Sequence, residues 1–447
     1  MDTHAALSDY TIDWHRYHDA VDVAVCLEAT GRIVRVVGLI AEATGLNMSI
    51  GSLVKIENDY GDRILAEVVG FRDDHVRLMP YGDTRGIRPG SRVTLVNQSP
   101  RAEVGDAFLS RVVDGMGQPI DGGGPIAATA EYPLYGTPIN PMNRRTVDEP
   151  MDVGLAAINA MVPLGRGQRV AIMAGSGVGK SVLMGMMARH TAADVTIIGL
   201  IGERGREVRD FVDQNLGVEG RKRTVVVAAT SDAPALVRMR GAYLATTLAE
   251  YFRDQGLSVL LIVDSITRFA MSSRDVGLAA GEPPTTRGYT PSFFAQIPVL
   301  LERAGAVKGK GSITGIYTVL VEGDDMNDPV GDTVRSIVDG HIVLSRKLAN
   351  RGHYPAIEVL ESVSRVIRDV SLPEQLALRE QAIEVLATYR DVEDMIAIGA
   401  YTDGTNPAVD RAKKYIEKVN RFLRQGVDEK VDRDRALTRL RGIFSRQ

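Results

Sequence analysis

Residues 169–189 read Arg-Val-Ala-Ile-Met-Ala-Gly-Ser-Gly-Val-Gly-Lys-Ser-Val-Leu-Met-Gly-Met-Met-Ala-Arg, and this stretch decides the fold of the chain. A short apolar run at 170–173 predicts a strand, which breaks into a glycine-rich turn ending at Lys180 and Ser181. An apolar helix follows. This order of strand, loop and helix is what a phosphate cradle requires, so the pattern predicts a P-loop that binds a nucleotide. The predicted nucleotide contacts are Gly175, Ser176, Gly177, Val178, Gly179, Lys180, Ser181 and Val182.

Each residue type in this loop has a physical role. Glycines let the backbone turn its N–H groups inward, in dihedral regions that other residues rarely adopt. The helix that starts near Lys180 points its partial positive end at the same spot. We expect Lys180 to reach the β- and γ-phosphates and the Ser181 hydroxyl to bind Mg²⁺. The first position of the usual pattern is glycine and here is Ala174, a mild departure because the glycines nearest the phosphates are present.

The composition is that of an ordinary globular protein. The chain has 447 residues, 44% hydrophobic and 25% charged, with a net charge of −4, so no overall basic field favours nucleic acid or anionic lipid. The only cysteine, Cys26, cannot form an internal disulfide, and the 7 histidines show no metal-ligand spacing. No secretory signal or membrane-spanning apolar run is visible. A cytoplasmic location is therefore expected.

Patterning along the chain predicts a multi-domain α/β protein that begins with a small β-barrel. Residues 1–21 are polar and predict a partner-binding segment or a frayed end. Residues 22–98 hold short β-rich runs separated by polar turns, which predict a closed barrel. The barrel lacks an aromatic and basic face for nucleic acid, which favours a structural or oligomer-forming use. The predicted strands lie at 32–39, 53–57, 64–71, 75–80 and 92–96.

The part of the chain after the predicted barrel first alternates between strands and helices and then contains helices alone. In residues 99–372, two loop-like stretches at 114–125 and 132–150 lead into apolar strands that alternate with helical patterns. This alternation predicts a P-loop (RecA-like) domain with a mainly parallel sheet and helices on both faces. Residues 373–447 lose strands and predict a C-terminal helical domain. The predicted strands of the sheet lie at 170–173, 195–200, 224–229, 259–263, 315–321 and 340–344.

Two carboxylates at the ends of predicted strands give the cradle a catalytic interpretation. Glu203 follows the strand after the cradle helix, where it can polarise the water that attacks the γ-phosphate; the alternative is a surface glutamate in a charged loop. Asp264 ends the apolar run 259–263 in the Walker-B arrangement, which holds Mg²⁺ directly or through a water. Arg268 lies within reach of the same cluster, where it acts on the phosphates or supports Asp264 by an ion pair.

Two residues further along the chain complete the candidate site. Arg365 reads as an exposed arginine in a monomer. In a ring it could enter the neighbouring site and stabilise charge on the γ-phosphoryl group, an effect worth roughly 10³–10⁵ in rate. Tyr354 precedes a proline and is therefore expected in an extended segment, where it either stacks on adenine or packs routinely.

Four motifs resemble those of the flagellum-specific export ATPases. They are the cradle with its helix at 174–189, Gly-Leu-Ile-Gly-Glu-Arg-Gly-Arg-Glu-Val at 199–208, Val-Glu-Gly-Asp-Asp-Met-Asn-Asp-Pro at 321–329, and Asp-Gly-His-Ile-Val-Leu-Ser-Arg at 339–346. This family is similar to the catalytic subunits of rotary ATP synthases and to the injectisome ATPases of type III secretion. By match of motif, the resemblance gives site roles to Lys180, Glu203, Arg204, Asp264, Arg268, Tyr354 and Arg365.

The resemblance also implies an assembly and a task. It implies a cytoplasmic homohexamer, held at the inner membrane through the export apparatus, whose ATP hydrolysis aids delivery of unfolded flagellar subunits to a membrane export gate. Implied partners are a stator-like negative regulator at the N-terminal segment, a coiled-coil stalk in the centre of the ring and export chaperone–substrate complexes. Rotary synthases divide the catalytic carboxylate and the arginine finger between different subunits. This chain has both Glu203 and Arg365, which favours identical subunits that complete one another's sites.

Three alternatives remain open at this point. An injectisome ATPase shares the same motifs, although the helix at 180–189 and the segment Glu-Ala-Thr-Gly-Leu at 42–46 favour the flagellar role. A ring-shaped, RNA-translocating termination helicase has similar text at 264–268, but it would require RNA-reading aromatics and a basic channel. A non-catalytic nucleotide-binding subunit should lack Glu203.

Overall fold

The computed structural model describes Trp14 and residues 30–321 and 328–445. The predicted regulator-binding segment therefore lies outside the described residues, apart from its one tryptophan. The only cysteine and most of the motif at 321–329 lie outside them as well. Within the described part of the chain, no helix is long and apolar enough to cross a membrane.

The first of two compact units ends at Ser99 and contains a closed antiparallel barrel. The strand order around the barrel is β1-β2-β5-β4-β3-β6. Side chains alternate between the two faces of each strand, and the inward ones, among them Ile33, Val54 and Leu78, form a buried core. The predicted barrel is thus confirmed. Its strands are β1 (Thr30–Val37), β2 (Ile40–Thr44), β3 (Leu53–Glu57), β4 (Arg63–Arg72), β5 (His75–Pro80) and β6 (Arg92–Asn97).

The barrel contains one strand that the sequence pattern does not reveal. The apolar run at 32–39 predicts a single strand, but the chain turns at Gly38, whose φ is +57°. It returns at once as β2, so that Val37 pairs with Ile40 in the antiparallel ladder. Because residues on both sides of the turn are apolar and glycine is the only turn signal, the pattern hides the reversal.

The second compact unit starts at Pro100 and is built around one large sheet. The strand order is β19-β18-β12-β17-β15-β13-β14-β8, and β16 pairs with β17. The pairings from β18 to β8 are all parallel, whereas β16 and β19 are antiparallel. The strands of the unit are β7 (Arg101–Val104), β8 (Val112–Asp114), β9 (Ala130–Pro133), β10 (Pro150–Met151), β11 (Leu164–Gly165), β12 (Arg169–Ala174), β13 (Val195–Ile201), β14 (Thr224–Ala229), β15 (Ser258–Asp264), β16 (Gly305–Ala306), β17 (Ser312–Leu320), β18 (Gly340–Leu344) and β19 (Val363–Ser364).

Helices cover both faces of this sheet, as predicted, and each face has its own apolar core. Alternate residues of a strand point to opposite faces, so Ile197 and Val259 belong to one core and Ile198 and Leu260 to the other. The helices are α1 (Ala156–Met161), α2 (Lys180–His190), α3 (Gly205–Asp210), a π-helix (Phe211–Leu216), α4 (Gly217–Arg221), α5 (Ala235–Asp254), α6 (Ile266–Ala280), α7 (Pro291–Leu301), α8 (Pro329–Ile337), α9 (Arg346–Asn350), α10 (Ile367–Val370), α11 (Pro373–Ala397), α12 (Pro407–Leu423) and α13 (Arg433–Phe444).

The C-terminal helices pack on the same face as the cradle helix. Val385 of α11 and Ile416 of α12 lie in the core that also contains Met187 of α2. These helices belong to the same compact unit as the sheet. The change near residue 372 is therefore a change of secondary structure within one body.

Short strands occupy part of what the sequence presents as loop. β9 enters the stretch 132–150 and pairs with β7, while β8 reaches Asp114 and pairs with β14 at the edge of the large sheet. β8 has three residues and β9 has four. Segments this short, set among glycine and proline, carry too little alternation to be recognised as strands.

Candidate nucleotide-binding site

The candidate site lies where parallel strands end. β12, β13 and β15 are near neighbours in the sheet, and the loops at their carboxyl ends meet at one edge, the usual place for a ligand in such folds. A cavity of about 400 Å³ opens there. It is lined by Gly175, Ser176, Gly177, Gly179, Lys180, Ser181, Val182, Glu203, Arg204, Glu207, Arg268 and Leu320.

The P-loop has the backbone that its sequence predicts. Gly177 and Gly179 have φ values of +77° and +90°, in the left-handed region that favours glycine. Val178 between them is buried and anchors the loop, whereas Ser176 and Ser181 face solvent. α2 then begins at Lys180. The arrangement leaves backbone N–H groups and a helix N-terminus open to an incoming phosphate.

Lys180 lies between the two predicted carboxylates. Its Nζ contacts Oδ1 of Asp264 and lies 3.5 Å from Oε1 of Glu203. Asp264 is almost fully buried, and it also accepts a hydrogen bond from the hydroxyl of Thr318 on β17. The structure thus brings together three residues that are far apart in the sequence. The sequence does not identify Thr318 as part of the site, because a single threonine in an apolar strand carries no signal of its partner.

The carboxyl of Glu203 is tuned to neutral pH. Burial, and then the neighbouring charge of Asp264, raise the pKa of Glu203 to about 7, although Lys180 lowers it. The carboxyl of Glu207 adds a further, smaller increase to the pKa of Glu203. A general base is most effective when its pKa lies near the working pH, so Glu203 suits the role of accepting or orienting a water proton.

Arg204 and Arg268 line the cavity in different environments. Arg204 is largely exposed and pairs with Glu207 at 3.7 Å. Arg268 lies in the first turn of α6, where its side chain packs against Gly202 so closely that a Cβ there would lie 2.9 Å from its own Cβ. Its Nε is buried without a hydrogen-bond partner among the described residues. No ion pair joins Arg268 to Asp264 within the described part of the chain.

Tyr354 stands beside the P-loop. A Cβ on Gly179 would lie 3.5 Å from its ring, and 46% of the residue is exposed. The peptide bond to Pro355 is cis, and the segment forms a bend rather than the extended run expected from the sequence. The carbonyl of Tyr354 accepts a hydrogen bond from the backbone N–H of Gln425 at 3.0 Å. The side chain of Gln425 in turn bonds Ala156 and Gly154 near α1, a connection that sequence reasoning missed.

Arg365 does not reach the cradle of its own chain. It follows β19, which pairs with the start of β18, and β18 runs parallel to β12. The P-loop leaves the other end of β12, a strand whose six residues span roughly 17 Å. Arg365 is exposed there, and its Nη2 donates to the carbonyl of Arg335 at 3.3 Å.

The oxygen ligands at the cradle fit Mg²⁺. Ser181 offers an exposed hydroxyl and Asp264 a carboxylate, the hard oxygen donors that this ion takes together with phosphate oxygens and waters. Across the described residues, no three His, Cys, Asp or Glu side chains form a group that could hold a metal.

Comparison with known proteins gives consistent matches along the chain. Residues 33–96 match the beta-barrel domain of the ATP synthase alpha/beta family, and residues 154–364 match its nucleotide-binding domain. Residues 372–442 match the C-terminal domain of the type III secretion EscN ATPase.

Whole proteins are similar over nearly their full length. The flagellum-specific ATP synthase of Bacillus subtilis is 49% identical over 92% of this chain and 94% of its own. That of Salmonella typhimurium is 47% identical over 93% of both. The type 3 secretion system ATPase of Xanthomonas euvesicatoria is 45% identical over 89% of this chain and 90% of its own. The solved structure of the assembled ATPase EscN of enteropathogenic E. coli is 43% identical, with a TM-score of 0.88 over 93% of this chain and all of its own.

Proposed function

This chain belongs to the family of flagellum-specific ATP synthases and type III secretion ATPases, and we propose that it hydrolyses ATP to energise the export of flagellar subunits. The observation that carries the proposal is the cluster of Lys180, Glu203 and Asp264 beside an open P-loop. A cradle alone binds phosphate, whereas a carboxylate with a pKa of about 7 next to it suits an attack by water.

Each residue of the cluster has a distinct task in this proposal. Lys180 binds the β- and γ-phosphates. To do so, it leaves the two carboxylates that it contacts when no nucleotide is bound. Ser181 and Asp264 would hold the magnesium ion. Mg²⁺, when bound with ATP, neutralises charge on the phosphate oxygens. Glu203 orients the attacking water and accepts its proton, and Tyr354 stacks on the adenine.

The remaining arginines divide between the two sides of a shared site. Arg204 and Arg268 line the cavity on the cradle side. In this proposal they act on the phosphates. Arg365 serves the adjacent subunit of a homohexameric ring, since it lies at the opposite end of β12 from its own cradle. A ring closed by head-to-tail interfaces places the same two surfaces in contact at every junction. Each ATP site then consists of the cradle of one subunit and the arginine of the next.

The export role brings partners that the family suggests. EscN of enteropathogenic E. coli has been solved in complex with its central stalk EscO, and we propose a corresponding coiled-coil stalk for this chain. We further propose a stator-like negative regulator at residues 1–21, export chaperone–substrate complexes, and a membrane export gate that holds the cytoplasmic ring at the inner membrane. The net charge of −4 gives no support to an RNA partner.

Purified protein tests the enzymatic part directly. It should hydrolyse ATP with Mg²⁺ and without stimulation by RNA, and Glu203→Gln should abolish hydrolysis while ATP still binds. Glu219→Gln is the matched control, because Glu219 is an exposed glutamate on α4 that pairs only with Lys222 among the described residues. Unchanged hydrolysis in Glu203→Gln, or stimulation by RNA, would contradict the proposal.

The biological role is tested in the bacterium that encodes the chain. Deletion of the gene should abolish flagellar filaments and swimming. The virulence-type alternative, which is represented by the relative from Xanthomonas euvesicatoria, predicts normal swimming and loss of effector secretion instead.

A further inference from the structure

Asp339 lies at the centre of a hydrogen-bonded network at the sheet edge opposite the cradle. It stands between the end of α8 and the start of β18. Arg169, the first residue of β12, donates from Nε to Oδ2 of Asp339 at 3.1 Å and from Nη2 to Oδ1 at 3.0 Å. The backbone N–H of Arg169 donates to the same carboxylate at 3.1 Å. The carboxylate thus accepts three bonds from Arg169, two of them from the planar fork of the guanidinium, and the backbone N–H of Asp339 donates to the carbonyl of Arg169 at 2.8 Å. These bonds fix the direction of Asp339 closely.

The backbone of Asp339 carries this order on to Arg365. The N–H of Arg365 donates to the carbonyl of Asp339 at 2.9 Å. The side-chain amide of Gln168 donates to the same carbonyl at 3.1 Å and to the hydroxyl of Ser364 at 3.2 Å. Arg365 is therefore attached, through Asp339 and its neighbours, to the first residues of β12.

The guanidinium of Arg365 is held by the same segment. Its Nη2 bonds the carbonyl of Arg335 in the last turn of α8, where the helix dipole favours a positive charge. The residue is nevertheless exposed. Both the backbone and the tip of Arg365 are thus oriented by residues 335–339, and its side chain remains accessible from outside the chain.

The charges around Asp339 balance and are mostly withdrawn from water. Arg169 also pairs with Glu302, and Glu302 pairs with Arg144, so two arginines face two carboxylates. The side chain of Arg169 is only 12% exposed. Burial by itself lowers the pKa of Arg169, but the bonds to Asp339 and Glu302 outweigh it and raise that pKa above its usual value. Removal of one partner from this network would leave a buried charge uncompensated, which is strongly unfavourable. The network therefore persists in one geometry.

We propose that Asp339, paired with Arg169, is a positioning residue for the arginine that this subunit presents to its neighbour. The inference rests on the proposed function, in which Arg365 completes the adjacent ATP site. Asp339 touches neither nucleotide nor reacting atoms, so its effect reaches hydrolysis only through Arg365. Displacement of a catalytic group by about 1 Å costs about 10²-fold in rate, and we expect Asp339→Asn to lower kcat about 10- to 100-fold with KM for ATP unchanged.

Mixed rings separate this role from support of the subunit's own cradle. Asp339→Asn subunits keep an intact Glu203, so mixing with Glu203→Gln subunits, whose Arg365 is intact, should restore activity at about a quarter of the interfaces, the random-pairing expectation. Mixing Asp339→Asn with Arg365→Ala should restore nothing, because both lack a working arginine. Asp194→Asn is the matched control, since Asp194 accepts the Ser258 N–H at 2.8 Å at the same sheet edge, and it should retain activity.

The mixtures test the positioning role of Asp339 separately from the shared ATP site. The reference mixture of Glu203→Gln with Arg365→Ala must regain activity if sites are shared at all, and its failure removes the proposed function itself. If that mixture works and Asp339→Asn is rescued by Arg365→Ala instead of by Glu203→Gln, Asp339 supports its own cradle and the inference is overturned. Rescue by neither partner, or full activity of Asp339→Asn alone, overturns it equally.

Discussion

Glu203 should make ATP hydrolysis depend on pH near neutrality. Burial, followed by the charge of Asp264, raises the pKa of this carboxyl to about 7. In the proposed role, in which it accepts a proton from the attacking water, this carboxyl must be ionised. With a pKa of about 7, about nine-tenths of the carboxyl is ionised at about pH 8 and about a tenth at about pH 6. The value of kcat/KM should therefore fall about tenfold between these two conditions.

The measurement is a profile of kcat/KM for ATP with Mg²⁺ in excess and ionic strength held constant. This parameter reports ionisations of the free enzyme, whose pKa is the one discussed. Glu207→Gln provides the comparison: Glu207 raises the pKa of Glu203, so its neutralisation should move the profile to lower pH. A midpoint at the ordinary glutamate value of about 4.5 would contradict the raised pKa of Glu203. A profile that Glu207→Gln leaves in place would argue against Glu203 as the ionising group.

Three further changes have expected outcomes. The pKa of Glu203 is raised from 4.5 to about 7, so ionisation penalises the folded state; the penalty is absent below the lower value and complete above the higher one. Glu203→Gln should therefore increase the free energy of unfolding by at most about 3 kcal/mol at about pH 8 and leave it unchanged at about pH 4. An equal gain in stability at both pH values, measured by urea titration, would contradict this. Tyr354→Ala should raise KM for ATP about 5- to 150-fold, as expected for a lost stacking contact of about 1–3 kcal/mol, whereas Tyr354→Phe should leave KM unchanged. Equal effects of both substitutions in steady-state assays would argue against stacking. Gln425→Leu leaves the buried backbone groups of Gly154 and Ala156 without their side-chain partner. Thermal or urea unfolding should therefore show a loss of about 1–3 kcal/mol in the free energy of unfolding. An unchanged stability would mean that water replaces the lost hydrogen bonds.

The parts of the site that sequence could predict are those coded locally. Gly177 and Gly179 predict a left-handed backbone conformation, because few other residues adopt it. The carboxylates at the ends of β13 and β15 could be expected to meet, since buried apolar strands that alternate with helices form parallel sheets and present their carboxyl ends together. The register places Leu200 beside Asp264, which brings Glu203 to the cluster.

The parts that sequence could not predict depend on contacts across the topology. Gln425 bonds Ala156, 269 residues away, and Arg169 bonds Asp339, 170 residues away. Nothing in the immediate neighbourhood of these residues identifies the partner. Thr318 is hidden in the same way, because its hydroxyl has a purpose only once β17 lies beside β15. The sequence pattern does not reveal the reversal of the chain at Gly38, because the strands on both sides of it are apolar.

Whether two identical subunits share each ATP site can be measured by titrating Glu203→Gln subunits into Arg365→Ala subunits before the rings assemble. Each variant alone lacks one of the two groups at every interface. With shared sites, ATPase activity should be near zero at either end of the titration and greatest at equal amounts, where about a quarter of the interfaces combine an intact Glu203 with an intact Arg365. Assembled rings that remain inactive at every ratio would mean that the two residues do not act together across an interface.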